Sequence, residues 1–184
     1  MELTEQIGKY EPFNAQEAKD KALILSCLQN MDHVFSRENA VAHMTASAWV
    51  TDRKRERVLL AYHTIYRSWA WLGGHADGAR DLLRVALREI TEESGIRTVH
   101  PVSGDLYSLE VLTVDGHLKN GAYLSSHLHL NLTYLFEADP REPLSVKPDE
   151  NSGVAWFSPE AALRASSEQW LKENIYKKLI AKMK

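Results

Sequence analysis

Three acidic residues near the middle of the chain are spaced so that they could share a metal ion. Glu89, Glu92 and Glu93 stand at i, i+3 and i+4 of a helix-like segment, so their side chains share one face. Carboxylates crowded on a rigid face repel one another, whereas Mg²⁺ prefers oxygen ligands and keeps several waters. Arg88 beside them can orient or neutralise a carboxylate. The pattern predicts a divalent-cation site, with a solvated acidic helix face as the alternative.

A double glycine precedes this cluster. Gly73 and Gly74 carry no side chain, so the backbone there could approach a metal ion or a phosphate closely. We expect the short strand of residues 68–72 to end at this pair. Residues 81–94 then read as a helix with one apolar stripe, and Gly95 has the position of a glycine cap.

The segment from Gly73 to Ile96 resembles the Nudix box, G-x5-E-x7-R-E-U-x-E-E-x-G-U, in which U is a bulky aliphatic residue. The matching positions are Gly74, Arg88, Glu89, Ile90, Glu92, Glu93, Gly95 and Ile96. The first glutamate of the box is replaced by Arg80, which reverses the charge there. Asp77 and Asp81 are close by in sequence and could substitute for it.

The resemblance implies a magnesium-dependent hydrolase, with Mn²⁺ as the alternative ion, that cleaves a phosphoanhydride bond by attack of water on phosphorus. It implies that Glu92 and Glu93 are the main metal ligands. Glu89 would be a further ligand or the base, Arg88 would assist, and the backbone at Gly74 would approach the metal. The expected substrate is a nucleoside diphosphate linked to another group, or a related small phosphorylated molecule.

Two other functions compete with this hypothesis. The charge reversal at Arg80 suggests a non-catalytic nucleotide-binding or sensor module on the same fold. An isomerase of prenyl diphosphates on a related fold fits poorly, because that chemistry needs a cysteine in the cleft. The single cysteine, Cys27, falls in the apolar run of residues 22–28 and is expected in the core.

A loop closer to the C-terminus holds further carboxylates. Asp149 and Glu150 stand just before a predicted short strand, residues 154–157. Many Nudix enzymes carry a base or an extra metal ligand in such a loop, so Glu150 is the candidate and Asp149 the second choice. A solvated turn is the other interpretation, because Asp and Asn are common turn formers.

Alternating residues predict a strand over residues 127–137 with one polar face. We expect His129 and Asn131 on that face to line the substrate cleft, with a plain exposed sheet face as the alternative. A zinc site formed by His127, His129 and His117 is a further alternative, but a fourth ligand is not apparent.

The aromatic segment before the double glycine is expected to border the same cleft. There Arg67 could hold a phosphate, and an aromatic ring could stack on a base. Trp69 and Trp71 could equally be core residues of a strand. His75, which follows the glycines, is expected to face the substrate.

The remaining pattern predicts a mixed β-sheet covered by helices on both sides, an α/β (α+β) sandwich of the Nudix type. The predicted elements are a helix over residues 15–30 with Asn14 and Glu17 as a capping box, strands over 41–50, 57–63 and 105–114, and helices from Pro159 and over 168–183. The basic run of residues 53–57 would lie at a hairpin tip. We interpret residues 1–38 as an N-terminal helical extension packed on a Nudix domain of residues 39–184.

Length, composition and charge limit the domain organisation, the cellular location and the partners that can be expected. The 184 residues, with a net charge of −3 and one cysteine, suit a single domain without an intramolecular disulfide. Residues 1–13 lack the pattern of a secretory signal, and the chain lacks a membrane-length apolar run, so a cytoplasmic location is expected. The expected partner is a small phosphorylated substrate such as a nucleotide. Nucleic-acid and membrane binding are not expected, and a homodimer is left open.

Overall fold

A mixed β-sheet forms the centre of the computed structural model, which describes residues 2–119 and 121–184. The strands are β1 Ala42–Thr51, β2 Val58–His63, β3 Ser68–Ala70, β4 Leu72–His75, β5 Val99–Pro101, β6 Ser108–Val114, β7 His117–Lys119, β8 Ala122–Leu124, β9 His127–Ala138 and β10 Asn151–Phe157. The helices are α1 Leu3–Lys9, α2 Ala15–Asn30, α3 Leu82–Ser94, α4 Pro159–Ala165, α5 Gln169–Leu171, a π-helix Lys172–Tyr176 and α6 Lys177–Lys182.

The sheet has the order β10-β2-β1-β9-β5, with β3 on β2, β4 on β1 and β6 on β9. Strands β1 and β9 pair in parallel along their length, whereas their other neighbours run antiparallel. Strands β7 and β8 form a separate hairpin. This mixed sheet with its helices confirms the predicted fold class. None of the described helices is long and apolar enough to cross a membrane.

The two faces of the β1–β9 pair differ in character because successive side chains point to opposite faces. One face carries Met44, Ala46, Leu130 and Leu132, which are buried in the main core with the apolar sides of α2 and α3. The opposite face is polar over much of its length. It becomes apolar at Trp49 and Leu135, which pack against the C-terminal helices.

Helix α3 forms where its apolar stripe and caps predict it. The Asp81 side chain accepts a hydrogen bond from the backbone N–H of Arg84 at 3.1 Å, which satisfies a free donor of the first turn. Gly95 ends the helix at a φ of 76°, a conformation that favours glycine. The stripe buries Leu82 and Ile90 fully in the core, and this packing fixes the orientation of the opposite, acidic side.

The double glycine does not end a strand, contrary to the sequence-based expectation. Both glycines lie inside β4, which pairs with β1 up to His75. A Cβ atom on Gly73 would lie 2.5 Å from the carbonyl oxygen of Ala46 and 2.8 Å from the Ser47 hydroxyl. Glycine is therefore needed for close approach of two strands rather than for a turn.

The N-terminal helix α2 covers the free edge of β6. The Gln16 amide donates to the carbonyl of Leu109 at 3.4 Å, and the Asp20 carboxylate accepts from the N–H of Val111 at 2.9 Å. These bonds satisfy backbone groups that an edge strand otherwise leaves open. Asn14 caps α2 as predicted, with 2.9 Å between its side-chain oxygen and the Glu17 N–H.

Glu17 does not complete the expected capping box, because its carboxylate is fully buried elsewhere. It accepts a hydrogen bond from the N–H of Phe13 at 2.7 Å and lies 3.0 Å from Lys178 Nζ. Lys178, on α6, also lies 3.0 Å from the buried carboxylate of Glu110 on β6. A buried ion network therefore joins the N-terminal helix, the sheet and the C-terminal helix.

Candidate metal site

Three carboxylates converge beside β4. One oxygen from each of Glu89, Glu93 and Glu150 lies within 4.8 Å of the others. Helix α3 supplies the first two, which are each 7% exposed, and the loop before β10 supplies the third. Oxygens bound to one Mg²⁺ at about 2.1 Å lie about 3 to 4 Å apart, so this donor set fits a hard divalent cation. Glu150, chosen from sequence, therefore lies at the cluster, whereas Asp149 is exposed in the loop.

The glycine strand packs directly against this cluster. A Cβ atom on Gly74 would lie 2.5 Å from the carboxyl carbon of Glu89, so only glycine leaves room for that carboxylate. The backbone N–H of Gly73 donates to Glu93 at 3.3 Å. Arg88 donates to Glu89 at 2.7 Å and holds it from the other side. The close approach of the Gly74 backbone to a metal ion or phosphate stays a prediction.

Burial changes the ionisation of these acids. Desolvation is the main reason that the pKa of Glu93 is raised to about 8. The Gly73 N–H opposes this shift, and the nearby charges of Glu89 and Glu150 add to it. The pKa of Glu89 is also raised by burial, against the opposing influence of Arg88. A bound cation would offset the cost of keeping both carboxylates ionised, which is the behaviour expected of metal ligands.

Glu92 lies apart from the converging oxygens. Its carboxylate is 3.0 Å from Lys147 Nζ and 3.7 Å from Arg88 Nε, and its side chain is 42% exposed. Glu89 and Glu93, one helical turn apart, both point toward β4, whereas the i+3 position turns toward the solvent edge. The role of Glu92 as a main metal ligand stays a prediction.

Lys147 is a member of the site that sequence reasoning missed. Its ammonium lies 2.9 Å from Glu150 and 3.0 Å from Glu92, so it neutralises both carboxylates. Burial alone would lower its pKa, but the hydrogen bonds to these acids raise it. The available signal was its position three residues before Glu150 in the same loop.

Asn151 anchors this loop and was also not foreseen. Its buried amide donates to the backbone carbonyl of Glu93 at 2.9 Å, and its oxygen accepts from the N–H of Lys147 at 3.2 Å. The loop is thereby fixed to the C-terminal end of α3. This attachment brings Glu150 to the helix carboxylates without any local sequence pattern that would indicate it.

Arg80 and the two aspartates near it each have a defined partner in the structure. The Arg80 guanidinium lies over the Phe35 ring, 4.8 Å from its centre. Asp77 forms a two-bond ion pair with Arg37, at 2.7 and 2.8 Å, and Asp81 caps α3. The pKa of Arg88 is raised mainly by its hydrogen bond to Glu89 and also by the nearby charge of Asp77. The substitution of Asp77 or Asp81 for the glutamate therefore stays a prediction.

Asn131 lies inside the polar face of the sheet instead of lining a cleft. It is 1% exposed, and its oxygen accepts hydrogen bonds from Thr45 and Ser47, both at 2.9 Å. Its amide donates to Glu110 at 3.0 Å. Both ends of the side chain are engaged, so the expected contact with substrate is corrected to a structural role.

His75 and His129 lie together, but not beside the carboxylates. Their ring centres are 4.9 Å apart, and both rings contact His43 on the polar face of the sheet. Alternation along β4 directs Gly74 toward Glu89 and His75 toward the opposite face. The expectation that His75 and His129 face the substrate stays a prediction.

Arg67 lies in the exposed turn between β2 and β3, with a φ of 50°. In that turn the N–H and hydroxyl of Thr64 donate to the carbonyl of Glu150 at 3.1 and 3.0 Å. The turn and the acidic loop therefore lie side by side. Trp69 and Trp71 pack into the apolar cluster beneath the C-terminal helices.

Comparison with known proteins adds a family relationship to this geometry. The model of the NUDIX domain matches residues 41–179. A MutT protein from Methanosarcina mazei Go1 has 17% identity and a TM-score of 0.55, over 77% of this chain and 94% of that one. A C. elegans Ap4A hydrolase has 17% identity and a TM-score of 0.54, over 76% and 93%. The E. coli dihydroneopterin triphosphate pyrophosphohydrolase has 13% identity and a TM-score of 0.53, over 75% and 95%. Comparison with curated sequences gives no significant match.

Proposed function

Because the chain belongs to the NUDIX domain family, we propose that it is a divalent-metal-dependent hydrolase of a phosphoanhydride bond in a small substrate. The observation that carries this proposal is the convergence of Glu89, Glu93 and Glu150 against the side-chain-free backbone of Gly74. Structures of similar fold include proteins described as an Ap4A hydrolase and a dihydroneopterin triphosphate pyrophosphohydrolase, which is consistent with a phosphoanhydride substrate.

The three carboxylates would hold the ion, Mg²⁺ or Mn²⁺, with Glu92 available as a further ligand. When bound, such an ion lowers the pKa of water and offsets the charge that develops on the phosphate oxygens. Glu150 is the more exposed member of the cluster and accepts the proton of the attacking water. Arg88 keeps Glu89 in place through its hydrogen bond.

The substrate we propose is a nucleoside diphosphate linked to a second group. Its diphosphate would lie along β4, where Gly73 and Gly74 present backbone without side chains. Arg67, in the turn beside the acidic loop, would pair with a phosphate at the open side of the site. Specificity beyond this class depends on loops, since one fold supports many substrates.

The test is hydrolysis of a panel of nucleoside diphosphate derivatives with Mg²⁺ or Mn²⁺, read as release of phosphate-containing products. We expect turnover that a chelator abolishes and that Glu93→Gln and Glu150→Gln each lower by about 100-fold or more. Asp149→Asn is the matched control, because Asp149 is the exposed neighbour of Glu150. Equal loss in the control would contradict the site. Nucleotide binding by thermal shift without any turnover would favour the sensor module.

A further inference from the structure

Four histidines from three strands meet on the polar face of the sheet. His43 on β1 lies between the rings of His75 on β4 and both His127 and His129 on β9. The distances between these ring centres run from 4.9 Å for His43–His127 to 5.2 Å for His43–His75. The parallel register creates the group, because it pairs His43 directly with His129.

The hydrogen bonds of His43 leave one nitrogen available to a ligand. Its Nδ1 lies 3.0 Å from the carbonyl oxygen of Asn39, which only accepts, so the proton is on Nδ1. Its Nε2 therefore carries a lone pair. His43 is 4% exposed, and Nε2 is buried without a hydrogen-bond partner among the described residues. A buried acceptor left unpaired in the sheet requires an explanation.

The two histidines on β9 contact each other through their ring nitrogens, in a hydrogen bond that a metal ion would replace. His127 Nδ1 lies 2.8 Å from the carbonyl oxygen of Ser125, so its Nε2 also presents a lone pair. That atom is 3.3 Å from His129 Nε2. Two nitrogens bound to a tetrahedral Zn²⁺ at about 2.0 to 2.1 Å are separated by about 3.3 Å. The separation of these two nitrogens therefore equals one edge of a zinc tetrahedron.

Burial keeps the imidazoles of these histidines neutral, which is the protonation state that binds a metal ion. Desolvation lowers the pKa of His129 to about 2, and the neighbouring histidines His75, His43 and His127 lower it further. Desolvation is also the main reason that the pKa of His43 is lowered. Neutral imidazoles without a carboxylate among them suit Zn²⁺, Co²⁺ or Ni²⁺ rather than Mg²⁺, which selects oxygen ligands.

We propose that His43, His75 and His129 bind a transition-metal ion, with Zn²⁺ the best match, and that His127 supplies the fourth nitrogen. The ligand nitrogens of the first three lie within 4.8 Å of one another. Zinc binding would require side-chain rotation that brings them to a separation of about 3.3 Å. The zinc site considered from sequence shares His127 and His129 with this proposal. His117, the third ligand considered there, lies on the β7–β8 hairpin. After burial and the other histidines, its charge also lowers the pKa of His129.

The histidine site is separate from the carboxylate site and does not depend on the proposed hydrolysis. The two sites are joined through adjacent residues of β4, since Gly74 faces Glu89 and His75 faces His43. A metal ion here would tie β1, β4 and β9 together. It would thereby fix the strand against which the hydrolytic carboxylates pack.

The experiment is a metal titration of the full chain after chelator treatment. Zn²⁺ binding would be followed by competition with a chromophoric chelator, and Co²⁺ binding by its visible spectrum, in excess Mg²⁺. We expect one Zn²⁺ per chain and X-ray absorption that reports nitrogen ligands at about 2.0 Å. His43→Gln and His129→Gln should each weaken binding by about 100-fold or more. His100→Gln, an exposed histidine on β5, is the matched control.

The outcomes separate the two metal sites. Zinc binding that survives Glu93→Gln but is lost in His43→Gln supports the proposal. Loss in Glu93→Gln with retention in both histidine variants would overturn it, as would the absence of tight binding by the wild-type chain. Circular dichroism checks that each variant is folded, and His75→Gln replaces any variant that is not.

Discussion

A methyl group on Gly74 would lie 2.5 Å from the carboxyl carbon of Glu89, closer than real side chains approach one another. Because the backbone of β4 is held by its pairing with β1, the Glu89 carboxylate is the part that would move. Gly74→Ala is therefore expected to keep the fold but to displace a ligand of the metal site. A displacement of about 1 Å can lower the rate by about 100-fold. Steady-state kinetics would measure the loss.

Gly104→Ala is the control for that substitution. A Cβ atom at Gly104 meets no atom within 4 Å, so its activity should equal that of the wild type. Full activity of Gly74→Ala would show that the close packing of Glu89 against β4 has no part in catalysis.

The stability of the metal-free protein should fall as pH rises, because of Glu93. Its folded-state pKa of about 8 lies above the ordinary value of 4.5, so the folded state holds the proton more tightly than the unfolded state. That contribution is complete below about pH 4.5 and is lost as pH rises through 8. Thermal melting in chelator between pH 6 and about 9 would measure it.

Glu93→Gln removes this dependence. We expect the free energy of unfolding of the variant to exceed that of the wild type in chelator at about pH 9, by up to about 5 kcal/mol. The variant should also lose stabilisation by Mg²⁺. A wild-type melting temperature that rises over this pH range in chelator would contradict the interpretation.

Lys147 competes with a metal ion for Glu150 and Glu92. Its ammonium lies within 3.0 Å of both carboxylates, so replacing it with methionine removes a positive charge beside the cation site. We expect Lys147→Met to lower the Mg²⁺ concentration for half-maximal activity by about 10-fold, as a coupling of about 1.4 kcal/mol would. Activity measured across a Mg²⁺ titration gives the Mg²⁺ concentration for half-maximal activity of each protein.

Lys172→Met serves as the comparison, because Lys172 belongs to the C-terminal π-helix and not to the acidic loop. A higher Mg²⁺ requirement in Lys147→Met would instead indicate that the ammonium binds substrate phosphate together with the ion.

Removal of the Glu17 charge should destabilise the whole domain. Although burial raises the pKa of Glu17, the N–H of Phe13, the Tyr10 hydroxyl and Lys178 lower it below the ordinary value. The stabilisation is therefore present above about pH 4.5 and is lost as pH falls below it. Glu17→Gln leaves Lys178 with one acidic partner fewer and is expected to cost about 3 to 5 kcal/mol.

Urea unfolding at neutral pH would measure that cost. Glu5→Gln is the matched control in α1, since Glu5 forms an exposed pair with Lys9 that contributes at most about 0.5 kcal/mol. Equal stability of the two variants would mean that the buried network contributes nothing beyond a surface ion pair.

Local patterns were enough to predict helix α3 and its glycine cap, whereas Glu150 was a candidate only through the resemblance to the Nudix family. The helix depends on periodicity and capping, which are properties of neighbouring residues. Asn131 could not be placed in this way, because its partner Thr45 is 86 residues away in sequence. The parallel register of β1 and β9 that joins them has no local signature.

The grouping of the histidines and the role of the double glycine could not be predicted for the same reason, since both depend on the pairing of distant strands. The strand pattern identified His129, but His43 joins it only through the pairing of distant strands. The sequence predicted that the short strand of residues 68–72 ends at the double glycine, whereas β4 continues through it. Glycine is required at both positions by tertiary packing, because Ala46 lies close to Gly73 and Glu89 lies close to Gly74.

The contacts of Gln16 and Asp20 with β6 bear on how the chain can be shortened. Residues 41–179 carry the family match, yet α2 lies before them and shields an outer strand of the sheet. A fragment trimmed to the matched segment would expose that strand to other molecules. Such a fragment should self-associate by strand addition and precipitate, even though every carboxylate of the hydrolytic centre would still be encoded in it.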